Sequence, residues 1–312
     1  MFDTLPLFII LMFHSALLTF AMAGLAAAAP ESDRVTSLPE MRDFDDYGVY
    51  SGYLNIPETA KQLHYMFVES AESPSTDPLI IWFNGGPGCS SMLGWAQEHG
   101  PFVMENGGTE FHENAYSWNK GANMLYIESP AGVGFSYCDG FKDCSFTDDS
   151  SSKDNLSAVL AWFQKFPEFG TNNLWISGES YAGIYVPYLS YQIDLHNSEN
   201  ADDDSVFKPN LKGFAVGNGV TNWDLDCNGA YLEMAYWHSL YNTELYDKIK
   251  AAECDFSGPY MLHASKECRE YYSEFNALTS DVNIYDIYGI CYGPYPYPQM
   301  YESNANRKVY SA

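Results

Sequence analysis

Basic residues are scarce in this chain. Its 312 residues include 15 lysines and arginines against 41 aspartates and glutamates, a net charge of −26. That balance speaks against nucleic acid and anionic membrane surfaces as partners. It serves solubility first, and it also suits an acidic compartment, where part of the charge is neutralised. No C-x-x-C pair and no histidine pair at ligand spacing occurs, so no metal site is expected, and nothing in the sequence asks for a cofactor. Internal repeats are missing. After residue 29 no stretch is long and apolar enough to span a bilayer.

Residues 5–20 are mostly apolar, and the small residues at 21–23 and 26–29 offer cleavage sites. Residues 1–29 therefore read as a signal peptide, although Asp3 stands where a basic residue is usual; an uncleaved anchor is the alternative. The mature form is expected off the membrane, in the secretory pathway, and extracellular or vacuolar/lysosomal. Seven cysteines in such a chain read as disulfides with one left over. Cys138 and Cys144 can close a small loop, Cys254 and Cys268 form the next pair, and Cys227 is unassigned. Oligomeric state is left open.

The length suits one large α/β domain or two small ones, and 46% hydrophobic residues can bury a core. Residues 49–54 and 62–69 alternate in strand fashion and suggest a hairpin. Residues 79–83, 123–128, 174–177 and 211–216 read as further strands. Residues 92–99 read as a short helix capped by Ser90 or Ser91. Ser151-x-x-Asp154 has the spacing of a capping box before the stripe Leu156, Val159, Leu160 and Phe163, and Phe166-Pro167 ends that helix. Strands alternate with helices, and most end in a glycine loop, the layout of a doubly wound α/β sheet with ligands at the C-terminal strand ends. Residues 225–250 read as helical, 253–281 as mixed, and 292–312 begin as a Pro/Tyr-rich linker.

Two stretches carry chemistry. Residues 174–183 read Leu-Trp-Ile-Ser-Gly-Glu-Ser-Tyr-Ala-Gly, a strand, a serine among small residues, then a helical pattern. That is the form of a nucleophile elbow at Ser180. A glycine-containing turn at a helix start is the plainer reading of the same hexapeptide. The second stretch, Asn84-Gly85-Gly86-Pro87-Gly88-Cys89-Ser90-Ser91, directly follows a strand. Its glycines free backbone N–H groups to face a ligand. In this order the two stretches resemble the serine carboxypeptidase family. The resemblance extends to Ser51-Gly52-Tyr53-Leu54, Tyr116-Ser117-Trp118-Asn119, the run Ile127-Glu128-Ser129-Pro130-Ala131-Gly132-Val133-Gly134-Phe135-Ser136-Tyr137, and residues 210–219.

The resemblance implies an α/β-hydrolase-type sheet, with residues 30–221 as the N-terminal part of the core, 222–291 as a helical cap insertion, and the later strands missing. It implies a peptidase that releases C-terminal amino acids from peptides or proteins at acidic pH through an acyl-enzyme. Ser180 would be the nucleophile, with the N–H groups of Gly86 and Tyr181 as oxyanion donors. Asn84, Gly85, Glu98 and Glu179 would hold the substrate carboxylate. Two close carboxyls cannot both ionise cheaply, so a shared proton would donate to the substrate. Taken singly, Glu98 reads as a solvated helix residue, Asn84 as a turn residue and Tyr181 as core or as a wall of the pocket before the scissile bond. The resemblance also supports the Cys254–Cys268 pair and gives Cys89 and Cys291 partners that are not evident here.

A hydrolase of this fold needs an Asp and a His after the serine. His196, His238 and His263 follow Ser180, but none follows a strand or a glycine. The chain is therefore expected to be a fragment of a serine carboxypeptidase. An acyltransferase on the same scaffold and a non-catalytic secreted peptide-binding protein are the alternatives.

Overall fold

Short apolar strands buried on both faces decide the architecture. The computed structural model describes residues 30–38, 44, 46–105, 110–139, 144–258 and 261–288. The expected signal peptide, the Pro/Tyr-rich segment and Cys291 lie outside these residues. β1 (Val49–Asn55) and β2 (Lys61–Val68) form an antiparallel hairpin with Leu54 opposite Leu63. β3 (Leu79–Phe83) follows, then a small separate ribbon of β4 (Phe102–Glu105) and β5 (Glu110–Glu113), which the sequence pattern does not announce. β6 (Asn123–Ile127), β7 (Tyr137–Cys138), α1 (Asp148–Lys165), β8 (Leu174–Glu179), α2 (Ala182–Glu199) and β9 (Leu211–Gly217) complete the sheet and its covering helices. α3 (Trp223–Asp226), α4 (Asn228–Trp237), α5 (Thr243–Ala251) and α6 (Lys266–Thr279) come last.

The main sheet runs β1-β2-β6-β3-β8-β9, with β7 against β2. β3 lies parallel to both β6 and β8, and β8 parallel to β9. Both faces of the central strands are covered. Leu63, Tyr65, Phe67, Leu79, Ile81, Phe83, Leu125 and Ile127 meet Trp162, Phe166 and Val186 on one side. Met66, Val68, Trp82, Met124 and Tyr126 meet Trp95 and Phe102 on the other. Near-continuous apolar runs are what two covered faces require. β9 lies at one edge of the described sheet, with β1 at the other, and Phe214 on it is 51% exposed. The chain leaves β3 for β6 on one side and later enters β8 on the other. The strand order therefore reverses at β3, and open α/β sheets form their ligand crevice beyond the C-terminal strand ends at such a reversal.

Several local expectations change. The capping box of α1 is Thr147 with Ser150, not Ser151 with Asp154: Thr147 Oγ1 accepts from Ser150 N at 3.2 Å, and Thr147 N donates to Ser150 Oγ at 2.8 Å. Asp154 instead pairs with Lys61 at 2.6 Å. The expected helix at 92–99 is a π-helical turn over Gly94–Glu98. The helical stretch at 225–250 is three helices. Asn242 caps α5 by accepting from Leu245 N, and Ser239 at φ 59° breaks the path before it. α4, α5 and α6 enclose their own apolar cluster around Phe275, Leu232 and Leu245. Both expected disulfides are present, Cys138–Cys144 and Cys254–Cys268. Asn155, in the sequon Asn155-Leu156-Ser157, is buried and accepts from Ser129 Oγ at 2.6 Å, which closes it to a glycan in the folded state.

Trp162 is fully buried and packs edge-on to Phe67 at 4.9 Å and flat on Phe166 at 4.8 Å. Trp162→Ala is expected to cost about 3–5 kcal/mol through the cavity it leaves. The check is a lower denaturation midpoint at unchanged slope.

Candidate active site

Ser180 sits where β8 turns into α2, at φ 58°, in the left-handed region that non-glycine residues rarely occupy. The turn is held from three directions. Ser180 N donates to Gly217 O at 3.1 Å, while Ser180 O accepts from Gly183 N and Val220 N, each at 2.9 Å. The sequence allows this bend because Gly178 has no side chain: a Cβ there would lie 2.5 Å from Phe83 O and 2.6 Å from Ala182 Cβ. Strain at one residue, fixed by the surroundings, is the signature of an elbow rather than an ordinary helix start.

The glycine loop after β3 lies directly against this turn. A Cβ on Gly85 would run into Tyr181 N and would lie 2.8 Å from Glu179 O and 2.9 Å from Ser180 Cβ. Only glycine permits that approach. Gly86 follows at φ 113°, and Cys89 N closes the loop on Gly85 O at 3.0 Å. Backbone from 85–86 and from 180–181 thus converges at one end of the sheet, where an oxyanion could be met by two N–H groups.

Asn84 ties this loop to two carboxyls. Its side-chain oxygen accepts from Trp82 Nε1 and from Gly94 N, both at 3.0 Å. Two N–H donors on one atom fix the orientation of the amide. Its Nδ2 therefore faces the other way and donates to Glu98 Oε1 at 3.0 Å and to Glu179 Oε1 at 2.9 Å. Two carboxyl oxygens share one nitrogen, and Glu179 is the residue before Ser180. Burial raises the Glu98 pKa above the usual carboxylate range; the Asn84 hydrogen bond opposes this and the Glu179 charge adds to it. The carboxyl pair can hold a proton and present it, which a pair of exposed glutamates would not do. Tyr181 turns its ring toward Tyr185 and Trp223, and its hydroxyl meets both Asp148 carboxylate oxygens at 3.2 Å.

The histidines downstream of Ser180 are engaged elsewhere. His196 Nε2 meets Phe207 O at 3.0 Å, His238 Nδ1 meets Met234 O at 2.8 Å, and His263 Nδ1 meets Ser257 Oγ at 2.9 Å. Among the described residues, no group of His, Cys, Asp and Glu side chains could hold a metal ion, and no helix is long and apolar enough to cross a membrane. Cys89 and Cys227 are free thiols there. Sequence reasoning missed His99. It lies buried among Trp82, Trp118 and Tyr126 beside Glu98, and burial pushes its pKa down to about 4. No spacing rule could have found it, because its neighbours come from three separate segments.

Asn84→Ala would strip Trp82 Nε1 and Gly94 N of their acceptor and leave two carboxyls facing each other. Unsatisfied buried donors cost about 1–3 kcal/mol each, so a loss of about 2–6 kcal/mol is expected for the two at neutral pH. The loss should shrink in acid, where one carboxyl is protonated. Denaturant midpoints of the two proteins at both pH values check this.

Comparison with known proteins shows the family and the fold. The family model for serine carboxypeptidases matches residues 39–311. Serine carboxypeptidase ctsa-4.1 of Caenorhabditis elegans is 40% identical over 85% of this chain and 55% of its own length. Serine carboxypeptidase-like 20 of Arabidopsis thaliana is 42% identical over 85% of this chain and 53% of its own length. The lysosomal protective protein of Mus musculus is 38% identical over 92% of this chain and 58% of its own length. The chain thus spans little more than half the length of these relatives. Among solved structures, a prohormone-processing carboxypeptidase of Saccharomyces cerevisiae, Kex1, superposes with a TM-score of 0.61 at 25% identity, over 81% of this chain and 58% of the other. Its fold is the α/β-hydrolase sheet described above. A strained serine after a parallel strand and a glycine loop pressed against it are accounted for together by one descent: this chain belongs to the serine carboxypeptidase family.

Proposed function

We propose that this chain supplies the nucleophile, the oxyanion donors and the carboxylate-binding groups of an acid-active serine carboxypeptidase. The observation that carries the reading is the Asn84 amide holding Glu98 and Glu179 together, immediately before Ser180. A peptide chain ending there would lay its terminal carboxylate against the Gly85 N–H and the protonated Glu98 carboxyl, which Asn84 holds in place beside Glu179. The scissile carbonyl would then lie over Ser180. Ser180 Oγ attacks that carbonyl, and the developing oxyanion is met by the N–H groups of Gly86 and Tyr181. Collapse expels the terminal amino acid and leaves an acyl group on Ser180, which water removes. Tyr181 lines the pocket for the residue before the scissile bond. The proton relay is assigned to no residue of 1–312.

Substrate choice follows from the carboxyl pair. The raised pKa of Glu98, caused first by burial, keeps that carboxyl a hydrogen-bond donor in acid. Once Glu98 ionises it repels the substrate carboxylate, so affinity is present below its pKa and lost above it. Such behaviour suits a secreted, vacuolar or lysosomal setting, and the mouse relative is a lysosomal protein by name. The helices of 222–291 are proposed to cap the crevice. Acyl transfer to an alcohol would need no site for a carboxylate, and the Asn84 cluster weighs against it. The engagement of His196, His238 and His263 elsewhere favours one second reading, a protein that holds peptide ends without cleaving them.

The test uses the product of the full-length transcript on N-acylated dipeptides. Release of the C-terminal residue is expected in acid, and Ser180→Ala should lower kcat by about 10⁴-fold or more while leaving substrate binding in place. Binding without release in the wild type would establish the second reading. Glu179→Gln removes half of the shared-proton pair, so it should flatten the rise of KM with pH. An unchanged KM–pH profile would show that the carboxyl pair does not bind the substrate.

A further inference from the structure

Glu128 is fully buried at the C-terminal end of β6, and no step described above uses it. An ionised carboxyl is a poor core residue, because well-packed apolar groups are usually at least as stabilising. Here the protein surrounds it with donors. Glu128 Oε2 accepts from His64 Nδ1 at 2.9 Å and from Phe135 N at 2.8 Å, and Oε1 accepts from Ser90 Oγ. These bonds hold its pKa below the usual range, although burial by itself would raise it. His64 is 5% exposed, and its Nε2 lies 2.8 Å from Ser51 Oγ. The loop after β6 wraps the carboxyl: at Gly134, φ 54°, a Cβ would fall inside it, and Ser136 Oγ bridges His64 N to Glu128 O at 2.8 and 2.6 Å. Three segments singled out in the sequence, 51–54, 127–137 and the end of the glycine loop, thus meet at one carboxylate.

The consequence lies in the orientation of one hydroxyl. Because Ser90 gives its proton to Glu128, its lone pairs remain free, and Met92 N donates to Ser90 Oγ at 3.1 Å. That bond opens the helical turn whose end carries Glu98. The neighbouring Ser91 Oγ donates to Ile127 O at 2.7 Å and accepts from Asn84 N at 3.3 Å. Two consecutive serines therefore fasten the start and the end of the glycine loop to the tip of β6. We propose that Glu128, held by His64, is a positioning residue: through the Ser90 hydroxyl it fixes segment 84–98, and with it the Gly86 N–H and the Glu98 carboxyl. Its value to the site rests on the functional reading above; the mechanical link to Ser90 does not.

The two parts are tested separately on the chain with Ser90→Ala, Ser90→Thr and Glu128→Gln. Hydrogen–deuterium exchange of peptides covering 84–98 is expected to quicken about tenfold or more in Ser90→Ala and Glu128→Gln, with β2, β6 and α1 protected as in the wild type. Ser90→Thr keeps the hydroxyl and should keep the protection. Unchanged exchange at 84–98 in Ser90→Ala, or equal loosening of the whole sheet, overturns the proposal. Ser90→Ala changes a single hydroxyl, so it decides the matter even if Glu128→Gln does not fold. In parallel, calorimetric affinity for N-acetylphenylalanine at about pH 5 should fall about tenfold or more in Ser90→Ala, as displaced binding groups lose their alignment. A wild type that binds no N-acetylphenylalanine would remove the carboxylate-site reading, while the exchange result would still decide the role of Glu128.

Discussion

The Asn84 amide is the contact on which the rest of the site depends. All four of its hydrogen-bonding positions are filled, and Asn84 itself is 1% exposed. On one side it takes N–H groups from β3 and from the π-helical turn, which sets where the turn begins. On the other it faces two carboxyls that would otherwise repel. No other side chain offers two acceptor and two donor positions in one rigid plane at this length. An aspartate would accept on both sides and lose the glutamates, and a leucine would leave buried donors unmet.

Around that amide the backbone does most of the work. β3 and β8 are adjacent and parallel, so their C-terminal ends lie together, and the strand order reverses at β3. The crevice needs no further construction. It needs two segments able to approach without side chains between them. Gly85 and Gly178 meet that need at contacts where even a methyl group would collide with backbone. The strain at Ser180 is tolerated because Gly217, Val220 and Gly183 bond to its backbone from three sides.

The polar network behind the site follows the same logic at greater depth. Ser90 and Ser91 convert the position of β6 into the position of the glycine loop. Buried groups of this kind are costly when only partly satisfied, and here Glu128, His64, Ser51 and Ser136 complete one another. Gly134 thus closes on a protein carboxylate, whereas Gly85 lets its loop press against the Ser180 turn. Similar glycine-rich composition serves two different ends.

Much of this was legible in the amino-acid order. Alternation marked β1 and β2, short apolar runs marked β3 and β8, and β6 and β9 read as further strands; closeness in sequence paired Cys138 with Cys144, and the family resemblance supported Cys254 with Cys268. The elbow and the glycine loop were visible because each is a local device whose residues are contiguous. Other features were decided only by the tertiary fold. Thr147 displaced Ser151 as the cap of α1, since Asp154 found Lys61 across the fold. Glu98 and Glu179 are far apart in sequence and meet only because β3 and β8 are neighbours. Ser90 gained its partner from β6, and His99 its aromatic enclosure from three segments. Periodicity and spacing report what a residue does within its own element; which side chains share a hydrogen bond, and which carboxyls face one another, depends on how separate elements are stacked.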